Sequence, residues 1–247
     1  METGGALPRW VEVPIASLGL VALSPVLIAA ALAVMATSRG PALFKQRRVG
    51  RGGRGFTLLK LRTMRLQQGG PQVTVRGDTR ITAVGRVLRH TKLDELPELW
   101  NVVAGDMSLV GPRPEVPEHV DPASPLWQRV LQARPGITDP VTLRLRDEEA
   151  VLAQAGPDAD GFYREVLQPF KLLGYGAYLE TRTWRSDVHV LLESVRAVLA
   201  PGSVTAPTPA EMRARVEAWR SDGRPEVESG AAAGGHAGAG GRAGRRA

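Results

Sequence analysis

The sequence predicts a mainly α-helical protein with one short β-hairpin, attached to a membrane near its N-terminus. Three observations predict this. Val13 to Ser38 contains no charged residue. Gly50 to Gly55 is a glycine-rich turn between two short β-prone runs. Downstream, apolar residues recur at helical spacing, as at Ile81, Val84, Val87 and Leu88.

Composition narrows the chemistry. The 247 residues suit one sizeable domain with appendages, or two small ones. Aromatics make up only 5%, so the core must be largely aliphatic. Cysteine is absent, which excludes disulfides and thiolate metal sites. The net charge of +7 fits three kinds of partner: nucleic acid, an anionic membrane surface or phosphorylated substrates. The basic clusters, such as Lys45-Gln46-Arg47-Arg48 and Arg86 to Lys92, lack the interleaved aromatics of a base-stacking platform.

Residues 1–12 form a short mixed N-terminal segment. Residues 13–38, as a helix, would extend about 39 Å, enough to cross a hydrocarbon core. Ser24-Pro25 interrupts the segment near its middle. Proline lacks the amide donor and crowds the carbonyl four residues back, that of Val21; the Ser24 hydroxyl can bond a carbonyl so freed. Pattern alone favours a kinked spanning helix over a helix–break–helix hairpin that enters and leaves the same face. Arg39, Lys45, Arg47 and Arg48 place the downstream side in the cytoplasm.

Residues 39–200 read as the main domain. Phe44 to Arg65 gives the hairpin, and Gln67 to Gly77 a polar loop. Arg80 to His90 and Leu93 to Val103 follow as helices. Pro112 to Pro125 is irregular, and Pro125 to Ala133 is an amphipathic helix. Asp187 to Leu199 carries Val188, Leu191, Leu192, Val195, Val198 and Leu199 on one side. That stripe reads as core by default and as an interfacial face in the alternative. Residues 201–247 form a C-terminal extension: a Pro/Thr-rich break, a polar helix over Ala210 to Arg220, and a Gly/Ala/Arg-rich tail expected to be disordered after about residue 222.

The richest run is Leu88 to Pro114. It sets two adjacent acids, Asp94 and Glu95, among cations and ahead of a Gly-Pro-Arg-Pro turn. Thr91-x-x-Asp94 resembles a capping box, which would make Asp94 structural. The same helix N-terminus keeps a carboxylate ionised and attracts phosphate. An ionised Asp94 there can attack phosphorus, and Glu95 can orient or deprotonate an acceptor. Lys60, Arg89 and Arg113 can neutralise phosphate oxygens.

The ordered motifs resemble a known family. They are Ser24-Pro25, Phe44-Lys45-Gln46-Arg47, Phe56 to Met64, Asp78 to Thr82, Leu93-Asp94-Glu95-Leu96-Pro97, Asn101 to Ser108, Val110-Gly111-Pro112-Arg113-Pro114 and Arg134 to Thr138, with Asp187 as a downstream match. Over roughly residues 13–140 the chain resembles the bacterial sugar transferases of the monotopic polyprenyl-phosphate phosphoglycosyl transferase family, in its minimal form. The resemblance implies a re-entrant helix broken at Ser24-Pro25, in place of the spanning helix. It also implies that the catalytic domain lies on the cytoplasmic face of the bacterial inner membrane. The implied reaction moves a sugar-1-phosphate from a nucleotide sugar, usually UDP-linked, to a polyprenyl phosphate, by a covalent route with Mg²⁺. Carried over, Asp94 is the nucleophile and touches the metal, and Glu95 assists the acceptor. Lys60, Arg89 and Arg113 bind phosphate, with Arg62, Arg80 and Asp187 in support.

The chain departs from the family pattern at Asp139 to Glu149, where many members continue with Gly-Trp. Two other functions remain in view. A catalytically inactive scaffold of the same fold is opposed by the intact Asp94-Glu95 pair. A nucleic-acid-binding module is opposed by the lack of stacking aromatics.

Overall fold

The N-terminal segment folds as α1 (Arg9–Thr37), 29 residues and about 43 Å long. The computed structural model describes residues 5–65, 74, 77–156 and 158–222. Most of the Gln67–Gly77 loop, and the tail beyond 222, lie outside the described residues. Among the described residues α1 is the one helix long and apolar enough to cross a membrane, with a mean hydropathy of 2.5 over its most apolar 18 residues. The helix continues through Ser24 and Pro25 without the expected interruption. The Ser24 hydroxyl donates to the Val21 carbonyl at 2.7 Å, occupying the acceptor that Pro25 cannot serve.

Both ends of α1 are fastened to the same body. At the start, the Arg9 guanidinium donates to the carbonyls of Met107 and Val102, at 3.0 and 2.5 Å. Glu12, 1% exposed, accepts from the Leu109 amide at 3.0 Å. Just upstream, the Leu7 amide donates to Asp187 at 2.9 Å. At the far end, buried Arg62 donates to the carbonyls of Ser38, Arg39 and Gly40. Arg62, expected in support of the site, is thus spent on the exit from α1. Its fork matches three converging carbonyls of a helix end, whose own amide partners are missing.

The expected hairpin forms. Strands β1 (Leu43–Val49) and β2 (Gly55–Leu61) pair antiparallel from Leu43↔Leu61 to Val49↔Gly55. Gly52 and Gly53, with φ of +67° and +75°, make the turn that L-residues resist. The free edge of β2 is closed by a side chain: Asn101 accepts from the Leu59 amide at 3.1 Å and donates to the Thr57 carbonyl at 2.8 Å.

After the hairpin come α2 (Ala83–Thr91) and α3 (Glu98–Ala104), separated by a tight 3₁₀ turn at Leu93–Glu95. Ala16 of α1 packs with Val102, Met107 and Leu109, while Ala30 and Val34 pack with Leu61 and Leu88. Strand β3 (Ser108–Val110) pairs in parallel with β4 (Gly136–Thr138), a small sheet the sequence did not predict. Its close approach needs Gly136, where a Cβ would lie 2.1 Å from the Gly111 amide nitrogen. Helix α4 (Pro125–Val130) matches expectation.

The unusual segment folds as α5 (Pro140–Arg144), capped by Asp139, and leads into α6 (Glu148–Gln154). With α7 (Ala159–Phe162), a π-helical turn at Tyr163–Leu167 and α8 (Gln168–Thr181), these helices enclose the largest core. Helix α10 (Pro209–Ser221) belongs to it. The helix expected to be polar buries Met212 and Val216, two residues one turn apart, in that core.

Helix α9 (Trp184–Leu199) turns its apolar stripe outward. Val188, Leu192, Val195, Val198 and Leu199 are exposed, and the buried residues are Asp187, Val190 and Ala197. The core reading of that stripe is therefore overturned, and an interfacial face fits. Asp187 is wholly buried. It pairs with Arg182 at 2.8 Å and accepts from Tyr178 at 2.5 Å and from the Leu7 amide. It ties the N-terminal segment to α9 and is not brought to the acid pair.

Asp187→Ala should lower stability by about 3–5 kcal/mol, because it leaves the Arg182 charge buried and unpaired. Thermal unfolding of the detergent-solubilised protein, read by circular dichroism, measures this; an unchanged midpoint would refute the tether.

Candidate active site

The acid pair sits on a sharp corner between two helices. Lys92, with φ of +60°, ends α2 in the left-handed region, and its amide returns to the carbonyls of Arg89 and Leu88. Leu93–Glu95 then makes one tight turn, and Pro97 precedes the first turn of α3, where its missing amide costs little. Thr91 does not cap this turn. Its hydroxyl donates backward to the carbonyls of Val87 and Leu88, at 2.9 and 3.1 Å, because Thr91 is the last residue of α2. The capping-box reading of Asp94 is thereby corrected.

The two acids have opposite electrostatic fates. Asp94 is 7% exposed, and its Oδ1 is buried without a hydrogen-bond partner. Burial, and then the Glu95 charge, push its pKa up, while Lys60, Lys92 and Arg89 pull against them. Burial also pushes Glu95 up, but Arg113, Lys60 and Lys92 hold it well below the usual carboxylate range. Glu95 pairs with Lys60 at 3.0 Å and with Arg113 at 2.6 Å. These contacts bring Lys60 and Arg113 together with Glu95 as the sequence anticipated.

A third acid completes the cluster. Glu98, 1% exposed, lies 3.2 Å from Lys60, and burial raises its pKa against the pull of that lysine. Sequence reasoning missed it. The available signal was spacing: Pro97 starts a helix, so an acid three residues beyond Glu95 shares its lysine.

The remaining cations are also engaged. Arg89 donates to the Thr63 hydroxyl at 2.9 Å and pairs with Glu149. The segment that departs from the family pattern therefore reaches the site through its last residue. Arg80 lies 2.6 Å from Asp78, whose pKa it lowers, and Arg89 adds to that pull. Arg80 is thus held by Asp78, which also feels the Arg89 charge.

Among the described residues no group of three or more His, Asp or Glu side chains is arranged to hold a metal ion. The unbonded Asp94 Oδ1 nevertheless suits Mg²⁺, which takes one or two carboxylates and completes its shell with phosphate oxygens and water. Both Glu98 oxygens are likewise buried without a hydrogen-bond partner, although Lys60 lies 3.2 Å away, whereas Glu95, held by Lys60 and Arg113, fits that role less well.

The electrostatics carry opposite stability signs. Ionising Asp94 costs stability at neutral pH, and the cost vanishes as pH falls below its raised pKa. Glu95 stabilises above the ordinary glutamate pKa and loses that contribution as pH falls through its depressed one. Asp94→Asn should therefore raise stability at pH 7 by on the order of 1 kcal/mol, and Glu95→Gln should lower it by about 2 kcal/mol or more. Denaturant unfolding at pH 7 tests both signs; a destabilised Asp94→Asn protein would refute this account of the site.

Comparison with known proteins gives the family. The family of bacterial sugar transferases matches residues 4–201. The chain is 46% identical over 212 residues to the UDP-glucose:undecaprenyl-phosphate glucose-1-phosphate transferase of Caulobacter vibrioides, covering 81% of this chain and 75% of that one. It is 39% identical over 137 residues to the UDP-N-acetylgalactosamine-undecaprenyl-phosphate N-acetylgalactosaminephosphotransferase of Aeromonas hydrophila, covering 53% and 32%. Over 154 residues it is 36% identical to the exopolysaccharide production protein ExoY of Sinorhizobium fredii, covering 55% and 67%. With the matched segment running from the foot of α1 past the end of α9, and with the acid pair and its cations inside it, the chain belongs to the bacterial sugar transferase family.

Proposed function

We propose that this protein transfers a sugar-1-phosphate from a UDP-sugar to undecaprenyl phosphate, through a phospho-sugar carried on Asp94. The observation that carries the reading is the buried, unbonded Asp94 oxygen within reach of the fields of Lys60, Lys92 and Arg89. The relatives' names supply the donor and acceptor classes.

The chemistry follows from the residues. Asp94 Oδ1 attacks the sugar-bearing phosphorus of the donor, the bond to the UMP oxygen breaks, and UMP leaves. An oxygen of the lipid phosphate then attacks the acyl-phosphate, the bond to Asp94 breaks, and the carboxylate is restored. Mg²⁺, when bound, would offset the charge that builds on UMP as it departs. Arg113 and Lys60, held in place by Glu95, neutralise the transferring phosphate. Glu95 remains ionised and can orient the acceptor. Because Arg89 already pairs with Glu149, a substrate phosphate must displace a carboxylate to use it.

The reading places α1 as a re-entrant helix, with the domain on the cytoplasmic face of the bacterial inner membrane. What supports it is that both ends of α1 are held by one body through Arg9, Glu12 and Arg62. A helix so held cannot deliver its N-terminus to the far side of a bilayer about 30 Å thick. Such a helix keeps a soluble donor and a lipid acceptor at one interfacial site.

UMP release by solubilised protein with Mg²⁺, undecaprenyl phosphate and a panel of UDP-sugars tests the reaction. Lipid-dependent release for one or two donors is expected; no release across the panel, from folded protein, would favour the inactive scaffold. Without acceptor, a donor labelled at the sugar phosphate should label the protein. Asp94→Asn should abolish that label, with activity down about 10³-fold or more; persistent label would move the nucleophile elsewhere. Glu149→Gln should lower KM for the donor roughly threefold by freeing Arg89, with kcat little changed; an unchanged KM would remove Arg89 from donor binding.

A further inference from the structure

A second charged cleft lies behind the strand that carries Lys60. It encloses about 550 Å³ between the hairpin and α3, and its walls include Lys45, Arg47, Leu59, Trp100 and Asp106. We propose that this cleft binds a phosphoethanolamine phospholipid headgroup, with the phosphate on Lys45 and Arg47 and the ammonium against Asp106 and Trp100.

The pleat separates this cleft from the acid pair. Side chains alternate along a strand, so Lys45 and Arg47 share a face with their partners Leu59 and Thr57, while Lys60 points to the other face. On that other face Lys60 is consumed by Glu95 and Glu98. Among the described residues, Lys45 and Arg47 have no carboxylate within salt-bridge distance, in contrast to Lys60, Arg89 and Arg113. The two cations are exposed and free to take an anion.

The cleft's surroundings point to a lipid. Helix α3 packs along α1, with Leu99 against Gly19, and the next residue, Trp100, is 56% exposed. Leu43, 41% exposed and on the same face of β1 as Lys45 and Arg47, opens the strand six residues after α1 ends. A tryptophan beside apolar side chains suits the headgroup level of a bilayer. Lysine and arginine there meet lipid phosphates. The cleft also holds an acid, Asp106, which accepts a long hydrogen bond from the Asn101 amide at 3.5 Å. A purely anionic headgroup leaves that carboxylate unanswered. An ethanolamine headgroup supplies an ammonium to it, and the Trp100 face adds a cation–π contact.

Native mass spectrometry of the full chain released from detergent, with phosphatidylethanolamine, phosphatidylglycerol and diacylglycerol added together, tests the site. The wild type should retain one phosphatidylethanolamine in preference to the others. Lys45→Gln/Arg47→Gln should retain about tenfold less, Lys45→Arg/Arg47→Lys should retain it, and Asp106→Asn should lose the preference over phosphatidylglycerol. An unchanged unfolding midpoint confirms that each variant is folded. Equal retention by wild type and the glutamine variant would overturn the proposal. So would displacement of the lipid by UDP or undecaprenyl phosphate, which would make the cleft part of the reaction site.

Discussion

The fastening of both ends of one apolar helix to a single body is the constraint on which the rest depends. Glu12 is buried one turn into α1 because it answers the Leu109 amide at the start of β3. Arg62 is buried at the end of β2 because it answers three carbonyls where α1 runs out. Each is a charged group whose burial is tolerable only with those partners. Together they fix the height of β2, and hence of Lys60, relative to the helix. They also orient α3, whose Val102 packs beneath Ala16.

The corner that carries the acids inherits this placement. Lysine 60 bridges Glu95 and Glu98 from the strand, and Arg113 closes on Glu95 from the loop after β3. One acid is thereby satisfied and held ionised, and its neighbour is left buried with an oxygen unused. Such an arrangement sacrifices stability at Asp94, and buried unpaired polar atoms of this kind concentrate where function needs them. Lys60, Arg89 and Arg113 are already occupied by carboxylates. An anion that binds these three cations has to exchange places with a carboxylate, and Glu149 ties the divergent segment to Arg89.

The faces left without partners are as organised as the core. Helix α9 shows solvent a stripe of valine and leucine, and α1 leaves Leu18, Val21, Ile28 and Leu32 exposed. A stable water-soluble domain would cover surfaces of that extent. Both fit a body that rests on a bilayer.

Much of this was legible in the chain. The apolar run, the glycine turn and the 3.6-residue periodicity are local signals, set by neighbours in sequence, and they located α1, the hairpin, α2, α4 and α9. The Asp94-Glu95 pair stood out through the ordered motifs around it, since adjacent carboxylates beside arginines also occur at Asp147 to Glu149. Local pattern failed where distant groups compete for one side chain. Arg62 and Asp187 read in sequence as supporting residues of the site, and become clamps only when Ser38 and Leu7 arrive beside them. Thr91 offers a cap forward and a hydrogen bond backward, and the left-handed Lys92 decides for the latter. The outward stripe of α9, the β3–β4 pairing and the burial of Met212 depend on which surfaces meet, which no single segment encodes. The sequence by itself determined most of the helices and the hairpin, because those rest on short-range sterics and periodicity. Only the tertiary structure decided which charges pair, since a salt bridge is fixed by closeness in space.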